Sequence, residues 1–168
     1  LFLSTLAALG ATQALAQTGI VDQDNTANDN VSWNMGYFND FQQEVVVGTA
    51  GQLEGFMIKM ASQNTANGLP VAIFVGGGPH APGSTPAWSG TAYVSTSNLL
   101  REVFVDVSAA LLYFRVNDVF TIRVGDAVNM TPGMDLKGNS GWPSPYYNPS
   151  FYEAGARQNL DRLYFKTW

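Results

Sequence analysis

The stretch that decides the fold class is Arg101-Glu102-Val103-Phe104-Val105-Asp106-Val107, in which every second residue from position 103 is a valine. Successive side chains of a β-strand point to opposite sides, so the three valines share one face and their neighbours share the other. This period of two predicts a strand with one buried face. We therefore expect the valines to point into a core.

The same period recurs along most of the chain, with Gly, Pro and Asn residues between the segments. The segments lie at residues 31–37, 41–47, 52–60, 69–75, 91–94, 101–107, 120–124 and 163–166. Short helical turns are predicted at 97–101 and 109–112, and in 120–124 we expect Thr121 and Arg123 to point outward. No amphipathic segment is long enough for a crossover helix, which argues against a parallel α/β sheet. About eight strands predict an all-β fold, an antiparallel, jelly-roll-like β-sandwich.

The first residues of the chain are interpreted as an export signal. An apolar run ends in Ala14-Leu15-Ala16, the small-x-small pattern at which signal peptides are cleaved. The run is too short and too often interrupted by polar residues for a membrane span, which needs about 20 apolar residues. We interpret residues 1–16 as a signal peptide whose charged first part is missing, 17–30 as a polar lead, and 31–168 as a single β-sandwich domain. The prediction is a protein that is secreted or at the cell surface, without a transmembrane span.

Composition excludes several classes of partner. The 168 residues include eight Lys and Arg against thirteen Asp and Glu, a net charge of −5, and no cysteine. The basic residues occur singly and form no stripe that would contact phosphates, so we expect no nucleic-acid partner. The lack of cysteine argues against a small scaffold held by disulfides and favours a hydrophobic core.

Several segments together resemble a known group of exported domains. They are 41–47 with Gly51-Gln52-Leu53-Glu54-Gly55, then 70–74, 103–107, 118–122 and the closing 161–168. Their arrangement resembles short secreted bacterial β-sandwich domains that often precede a Pro-Glu-Pro-type C-terminal sorting and anchoring signal. The resemblance implies export and a jelly-roll-like sandwich, with no established common activity. Whether an anchor follows Trp168 stays open.

The glycine-rich run at residues 75–81 formally fits G-x-G-x-x-A after a strand. A dinucleotide site needs a helix at this point, and Pro79, Pro82 and Pro86 exclude one. We therefore predict a loop. His80 is the single histidine, and with no cysteine the usual zinc ligand sets cannot be assembled. We expect a surface histidine and no metal site at this position.

Paired carboxylates would indicate a glycosidase, which holds two carboxyl groups about 5–9.5 Å apart. Glu102 and Asp106 share a strand face but stand about 13 Å apart at the usual rise per residue. A cross-strand pair of Glu44 with Glu54 or with Glu102 stays open. We expect no catalytic residues.

Cofactors are not expected, although a structural Ca²⁺ in a sandwich loop stays open. Asp22-x-Asp24-x-Thr26 faintly matches a calcium loop but lacks the required glycine and the distant glutamate. The alternative is that these aspartates form ordinary Asx turns with their own backbone.

The aromatic segment at residues 142–152, predicted as part of a long loop at residues 125–159, is the remaining candidate site. Its tentative carbohydrate-binding residues are Trp142, Tyr146, Tyr147 and Tyr152. Exposed rings among polar neighbours stack on sugars, but aromatic residues are more often buried. We favour the view that these rings cover an edge of the sandwich.

The expected function is that of a secreted, non-catalytic structural or adhesive module of the bacterial cell surface or extracellular matrix. The alternative is a carbohydrate-binding module that uses the aromatic segment, and a glycan-active hydrolase is third. The expected partners are polysaccharide or other matrix components, and self-association stays open.

Overall fold

The computed structural model describes residues 20–27, 29–35, 40–63, 68–94, 97–126, 131, 133–140, 150–158 and 161–168. The predicted signal peptide, residues 1–16, lies outside the described residues.

The described residues form fifteen strands and one short 3₁₀ helix, Ser108–Ala110. The strands are β1 (Gln23–Asp24), β2 (Val31–Asn34), β3 (Asp40–Val46), β4 (Gly51–Gln52), β5 (Gly55–Ser62), β6 (Gly68–Val75), β7 (Trp88–Tyr93), β8 (Ser97–Asp106), β9 (Tyr113–Phe114), β10 (Val119–Gly125), β11 (Met134–Ser140), β12 (Phe151–Glu153), β13 (Ala156–Gln158), β14 (Asp161–Leu163) and β15 (Phe165–Thr167).

The strands assemble into two main sheets with antiparallel pairing. The seven-stranded sheet runs β1-β15-β5-β11-β14, with β2 paired to β11 and β8 paired to β5. The six-stranded sheet runs β13-β12-β3-β10-β6-β7, and β4 and β9 form a separate ladder. The first strand, β1, therefore pairs with the last one, β15, in the register Gln23↔Thr167. The prediction of an all-β, antiparallel, sandwich-like fold is confirmed.

The core lies between the two sheets. Phe56 and Ile58 of the seven-stranded sheet share one buried cluster with Val45, Phe120 and Ile122 of the six-stranded sheet. Aromatic rings close one region of this cluster, where the Trp33 ring lies 4.9 Å from Phe41 and 5.5 Å from Phe151 between ring centroids. The alternation predicts these inward positions because each strand presents one face to the opposite sheet.

The valines of β8 follow the prediction. Val105 and Val107 are buried, and Val103 is partly buried and packs against the core. The helical turn predicted at 97–101 is wrong, because this stretch belongs to β8 and pairs with β5, Arg101 lying opposite Met60. The turn predicted at 109–112 overlaps the 3₁₀ helix, which ends at Ala110 and is followed by Leu111 with φ 52°.

The number of strands exceeds the expected eight or so. One additional strand, β11 (Met134–Ser140), has seven residues and lies with β12 and β13 in the stretch 125–159, so the long loop predicted there is wrong. The other additional strands contain two or three residues, as in β1, β4, β12 and β13. A pattern of alternation needs about four residues or more to be recognised in a sequence, so such short pairings give no signal.

Thr121 has the outward orientation that the alternation predicts, but it is not exposed to solvent. Thr121 points away from the core between the sheets, yet its exposed fraction is 0%. Its hydroxyl donates a 2.9 Å hydrogen bond to the Gly76 carbonyl. The segment after β6 folds back over the outer face of the six-stranded sheet and covers this residue.

Candidate functional site

The outer face of the six-stranded sheet carries a group of polar side chains. Gln42 lies opposite Arg123, and Glu44 lies opposite Thr121, in the β3–β10 register. On the other side of β10, Thr121 lies opposite Phe74 of β6. Their neighbours along each strand point into the core, so these five side chains point to the same outer side.

The segment at residues 76–82, here called the glycine loop, lies over this face. The structure confirms the prediction that the glycine-rich run is a loop. The loop leaves β6 through Gly76, whose φ of 92° is a conformation that favours glycine. Neighbouring Gly77 and Gly78 keep the backbone close to the sheet, where a Cβ on Gly77 would crowd the Glu44 carboxylate.

Gln42 anchors the glycine loop through its side-chain amide. Its Oε1 accepts a 2.8 Å hydrogen bond from the His80 backbone N–H, and its Nε2 donates a 3.0 Å hydrogen bond to the His80 carbonyl. Nε2 also donates to Asp40 Oδ2 at 2.8 Å. All the donors of this buried amide are therefore used within the protein.

Glu44 holds two segments to the sheet with one carboxylate. Oε1 accepts a 2.9 Å hydrogen bond from the Gly78 N–H, and Oε2 accepts a 2.9 Å hydrogen bond from the Ser150 N–H. The Tyr152 hydroxyl lies 2.9 Å from the Gly78 carbonyl and 3.2 Å from Glu44 Oε1, two acceptors that compete for its single proton. Both carboxylate oxygens thus stabilise the fold.

His80 and Arg123 both pack on the ring of Phe74. The imidazole stacks on the ring at 4.3 Å between centroids with an angle of 14°, and the guanidinium carbon lies 4.5 Å from the Phe74 centroid. His80 is therefore half-buried and stacked, and the expectation of a plain surface histidine is wrong. Burial, and secondarily the positive charge of Arg123, lower the pKa of His80 below its usual 6.5.

Two polar atoms of this cluster, His80 Nε2 and Arg123 Nη1, are buried without a hydrogen-bond partner among the described residues. The imidazole forms a hydrogen bond with the Gly76 backbone. Because Nε2 has no partner, this bond is made by Nδ1, which must donate to the carbonyl. Nε2 of the neutral ring is then an acceptor.

A cavity of about 320 Å³ opens beside the glycine loop and is here called the loop pocket. Ligand pockets typically measure about 300–1,000 Å³. The lining residues are Asp40, Gln42, Pro79, His80, Ala81, Pro82, Ala154 and Gly155. These residues come from the glycine loop, from the start of β3 and from the β12–β13 turn at the rim of the pocket.

The rim turn has a strained backbone. Ala154 has φ 46° and Gly155 has φ 79°, so a residue with a Cβ occupies the left-handed region that glycine prefers. The Ala154 N–H donates a 3.0 Å hydrogen bond to the Asp40 carbonyl, which holds the turn against the start of β3.

Asp40 is the buried charged group of the loop pocket, with an exposed fraction of 3%. Burial raises the pKa of its carboxyl group above the usual 3.8, and the hydrogen bond from Gln42 and the charge of Arg123 oppose this rise. Neighbouring Asp126 raises the pKa of Asp40 further. Sequence reasoning missed both Asp40 and Arg123.

Of the four predicted carbohydrate-binding residues, Trp142, Tyr146 and Tyr147 lie outside the described residues. Tyr152 lies in β12, and its exposed fraction is 8%. The hydroxyl contacts described above hold its ring beneath the glycine loop, so we do not include Tyr152 in the site.

The candidate carboxylate pair of Glu44 and Glu102 is not formed. Glu44 points outward from the six-stranded sheet, whereas Glu102 lies on the outer face of β8 in the seven-stranded sheet and accepts a hydrogen bond from the Tyr164 hydroxyl. Packed sheets are about 10 Å apart, so two outer faces lie beyond the reach of a shared substrate bond. Glu54, the other candidate partner of Glu44, lies just before β5, which belongs to the seven-stranded sheet, whereas Glu44 lies in β3 of the six-stranded sheet.

No group of three or more His, Asp or Glu side chains in the described part of the chain could hold a metal ion. Asp22 Oδ1 accepts hydrogen bonds from the Gly48 and Thr49 N–H groups at 3.0 and 2.6 Å. Asp24 Oδ1 accepts from the Thr26 N–H at 3.0 Å, the expected Asx turn, and its Oδ2 pairs with Lys166 at 2.9 Å.

No protein-family model matches this chain, and no curated protein matches it. Among the described residues, no helix has the length and apolar character needed to span a membrane.

Proposed function

We propose that this chain is a secreted, non-catalytic structural or adhesive module of the bacterial cell surface or extracellular matrix. Polysaccharide or another matrix component is its proposed partner. The observation that carries the proposal is the hydrogen bonding of Glu44, whose two carboxylate oxygens hold the glycine loop and Ser150 to the sheet.

A glycan hydrolase needs one carboxyl group free to donate a proton and a second to attack or to activate water. Glu44 instead serves as a fixed acceptor of backbone hydrogen bonds. Such fixed contacts suit a rigid surface that binds a partner, because a pre-organised surface loses less conformational entropy on binding.

Export is supported by the apolar run that ends in Ala14-Leu15-Ala16 and by the resemblance to secreted sandwich domains. The lack of cysteine is compatible with an oxidising compartment, since no unpaired thiol is present to react there.

The test is to incubate the purified full chain with insoluble polysaccharides and with isolated cell-surface material. We expect the protein to sediment with at least one of these materials while the polysaccharide keeps its chain length. Release of new reducing ends in proportion to protein concentration would contradict the non-catalytic assignment.

The second candidate function is carbohydrate binding, and the loop pocket favours it. The pocket is of ligand size and combines two buried polar side chains, Asp40 and Gln42, with apolar walls. This combination is the usual form of a small-molecule site. In this second candidate function the carbohydrate binds at the loop pocket and not at the aromatic segment.

A further inference from the structure

The loop pocket contains a buried carboxylate with spare hydrogen-bonding capacity. An ionised aspartate offers about four acceptor positions, and Gln42 Nε2 donates to one of them. Asp40 is almost fully buried and lines the cavity. A buried charge is costly unless donors or an opposite charge compensate it.

The side chains around the pocket offer acceptors rather than donors. The amide protons of Gln42 are used by Asp40 and by the His80 carbonyl. His80 lines the same cavity, but its Nε2 is buried, so we assign the carboxylate of Asp40 as the acceptor for a ligand. A ligand that fits these groups must therefore donate hydrogen bonds.

Charge distinguishes an ammonium group from a hydroxyl group as the donor. Of the residues that line the pocket, Asp40 has the only carboxylate and none is a lysine or an arginine. His80 is neutral at pH 7 and adds no positive charge. An ammonium group supplies three donors and the opposite charge, whereas a hydroxyl group supplies one donor.

We propose that the loop pocket binds an amino-sugar unit of a polysaccharide, with the ammonium group of the sugar on Asp40. Pro79, Ala81 and Pro82 line the pocket and would cover the C–H face of the ring. The cavity volume of about 320 Å³ admits a ring and not only a linear chain. That the sugar belongs to a surface or matrix polysaccharide rests on the proposed function above.

The experiment measures binding of soluble glucosamine oligomers to the full chain by calorimetry, with N-acetylglucosamine oligomers of the same length as the uncharged match. We expect the glucosamine oligomer to bind at least about tenfold more tightly, since only it has an ammonium group to pair with Asp40. Asp40→Asn keeps an acceptor for Gln42 and should remove this preference. Ala81→Phe should block the pocket without changing its charge.

Asp106→Asn is the matched control, because Asp106 is an exposed carboxylate on the other sheet; it should bind like the parent protein. Equal affinity for the two oligomers, or unchanged binding in both Asp40→Asn and Ala81→Phe, would overturn the proposal. Binding of butylammonium as tight as that of the amino sugar would also overturn it, in favour of a lysine side chain as ligand.

The failures of the two proposals are distinguishable. If Asp40→Asn still sediments with polysaccharide as the parent does, the adhesive function stands and the pocket assignment fails. If the parent cleaves the oligomers, the non-catalytic function fails, whatever the pocket binds.

Discussion

His80 illustrates how one residue can be part of a surface loop and of a packed layer. Its ring stacks on Phe74 and its backbone pairs with Gln42. The imidazole is therefore held in an environment that disfavours the charged form, because burial and the nearby guanidinium both oppose protonation. The stability of the fold should therefore depend on pH.

The free energy of unfolding should decrease as the pH falls below the usual histidine pKa of 6.5. The folded pKa lies below the unfolded one, so the unfolded state takes up the proton first and is favoured by acid. Above that value, both states are neutral at this site and the effect is absent. Urea unfolding at pH 7.5, 6.5 and 5.5 measures the change, with the pH values chosen about one unit apart around the usual pKa.

His80→Gln is the control for this prediction. The variant has no histidine left, since the chain has one, and its stability should vary less between the same pH values. A parent protein whose stability does not change below pH 6.5 would contradict the stacked, buried environment of His80.

At the scale of the element, β10 shows a strand covered on both faces. Ile122 contacts the core between the sheets, while Thr121 on the opposite face is covered by the glycine loop. Arg123 on the same outer face packs on Phe74, but a new carboxylate at a covered position has no such compensating contact and is costly, whereas a solvated face tolerates it.

Thr121→Asp and Val105→Asp should therefore both destabilise the fold. Each places an unpaired carboxylate at a position that is at most 6% exposed, and such changes cost roughly 3 kcal/mol or more. Thermal and urea unfolding measure the loss.

Thr91→Asp, on an exposed position of edge strand β7, is the control and should change stability by less than about 0.5 kcal/mol. A Thr121→Asp protein as stable as the Thr91→Asp protein would show that the loop does not cover β10.

The difference between predicted and observed positions has a physical reason. Alternation in the sequence reports which side of a strand a residue faces, and it placed Val105 and Val107 correctly. It does not report what lies over that side. The partner of Thr121 is Gly76, 45 positions away in the chain, and the contact depends on tertiary packing.

The loop pocket could not be predicted from the sequence for the same reason. Asp40 is a polar residue at the start of a strand, which a sequence reader assigns to the surface. Its burial arises from the β12–β13 turn and the glycine loop, which come from distant parts of the chain. Many sequences have a charged residue beside a predicted strand and a glycine–proline loop elsewhere in the chain. This pattern is therefore too common to identify such a site.

At the scale of the whole molecule, the last strand is an internal part of the seven-stranded sheet. β15 lies between β1 and β5, and both Phe165 and Thr167 are fully buried. The sheet is therefore interrupted if these residues are missing.

Truncation after Leu163 should abolish the cooperative unfolding transition. It removes β15 and leaves the edge of β5 and the strand β1 without their pairing partners. Circular dichroism during heating measures the transition.

Phe165→Ala is the graded control, with an expected loss of about 3–5 kcal/mol for a fully buried phenylalanine. A truncated protein with an unchanged melting temperature would contradict the observed strand order.

The pairing of β1 with β15 also determines when folding can finish. Their contact joins residues 144 positions apart, as in the hydrogen bond from Gln23 to Thr167, and closing so long a loop is slow. This part of the sheet cannot close until Thr167 is available to pair with Gln23. Under the export proposed above, the β1–β15 ladder would form only after Thr167 had crossed the membrane, so the sheet would be completed on the outer side.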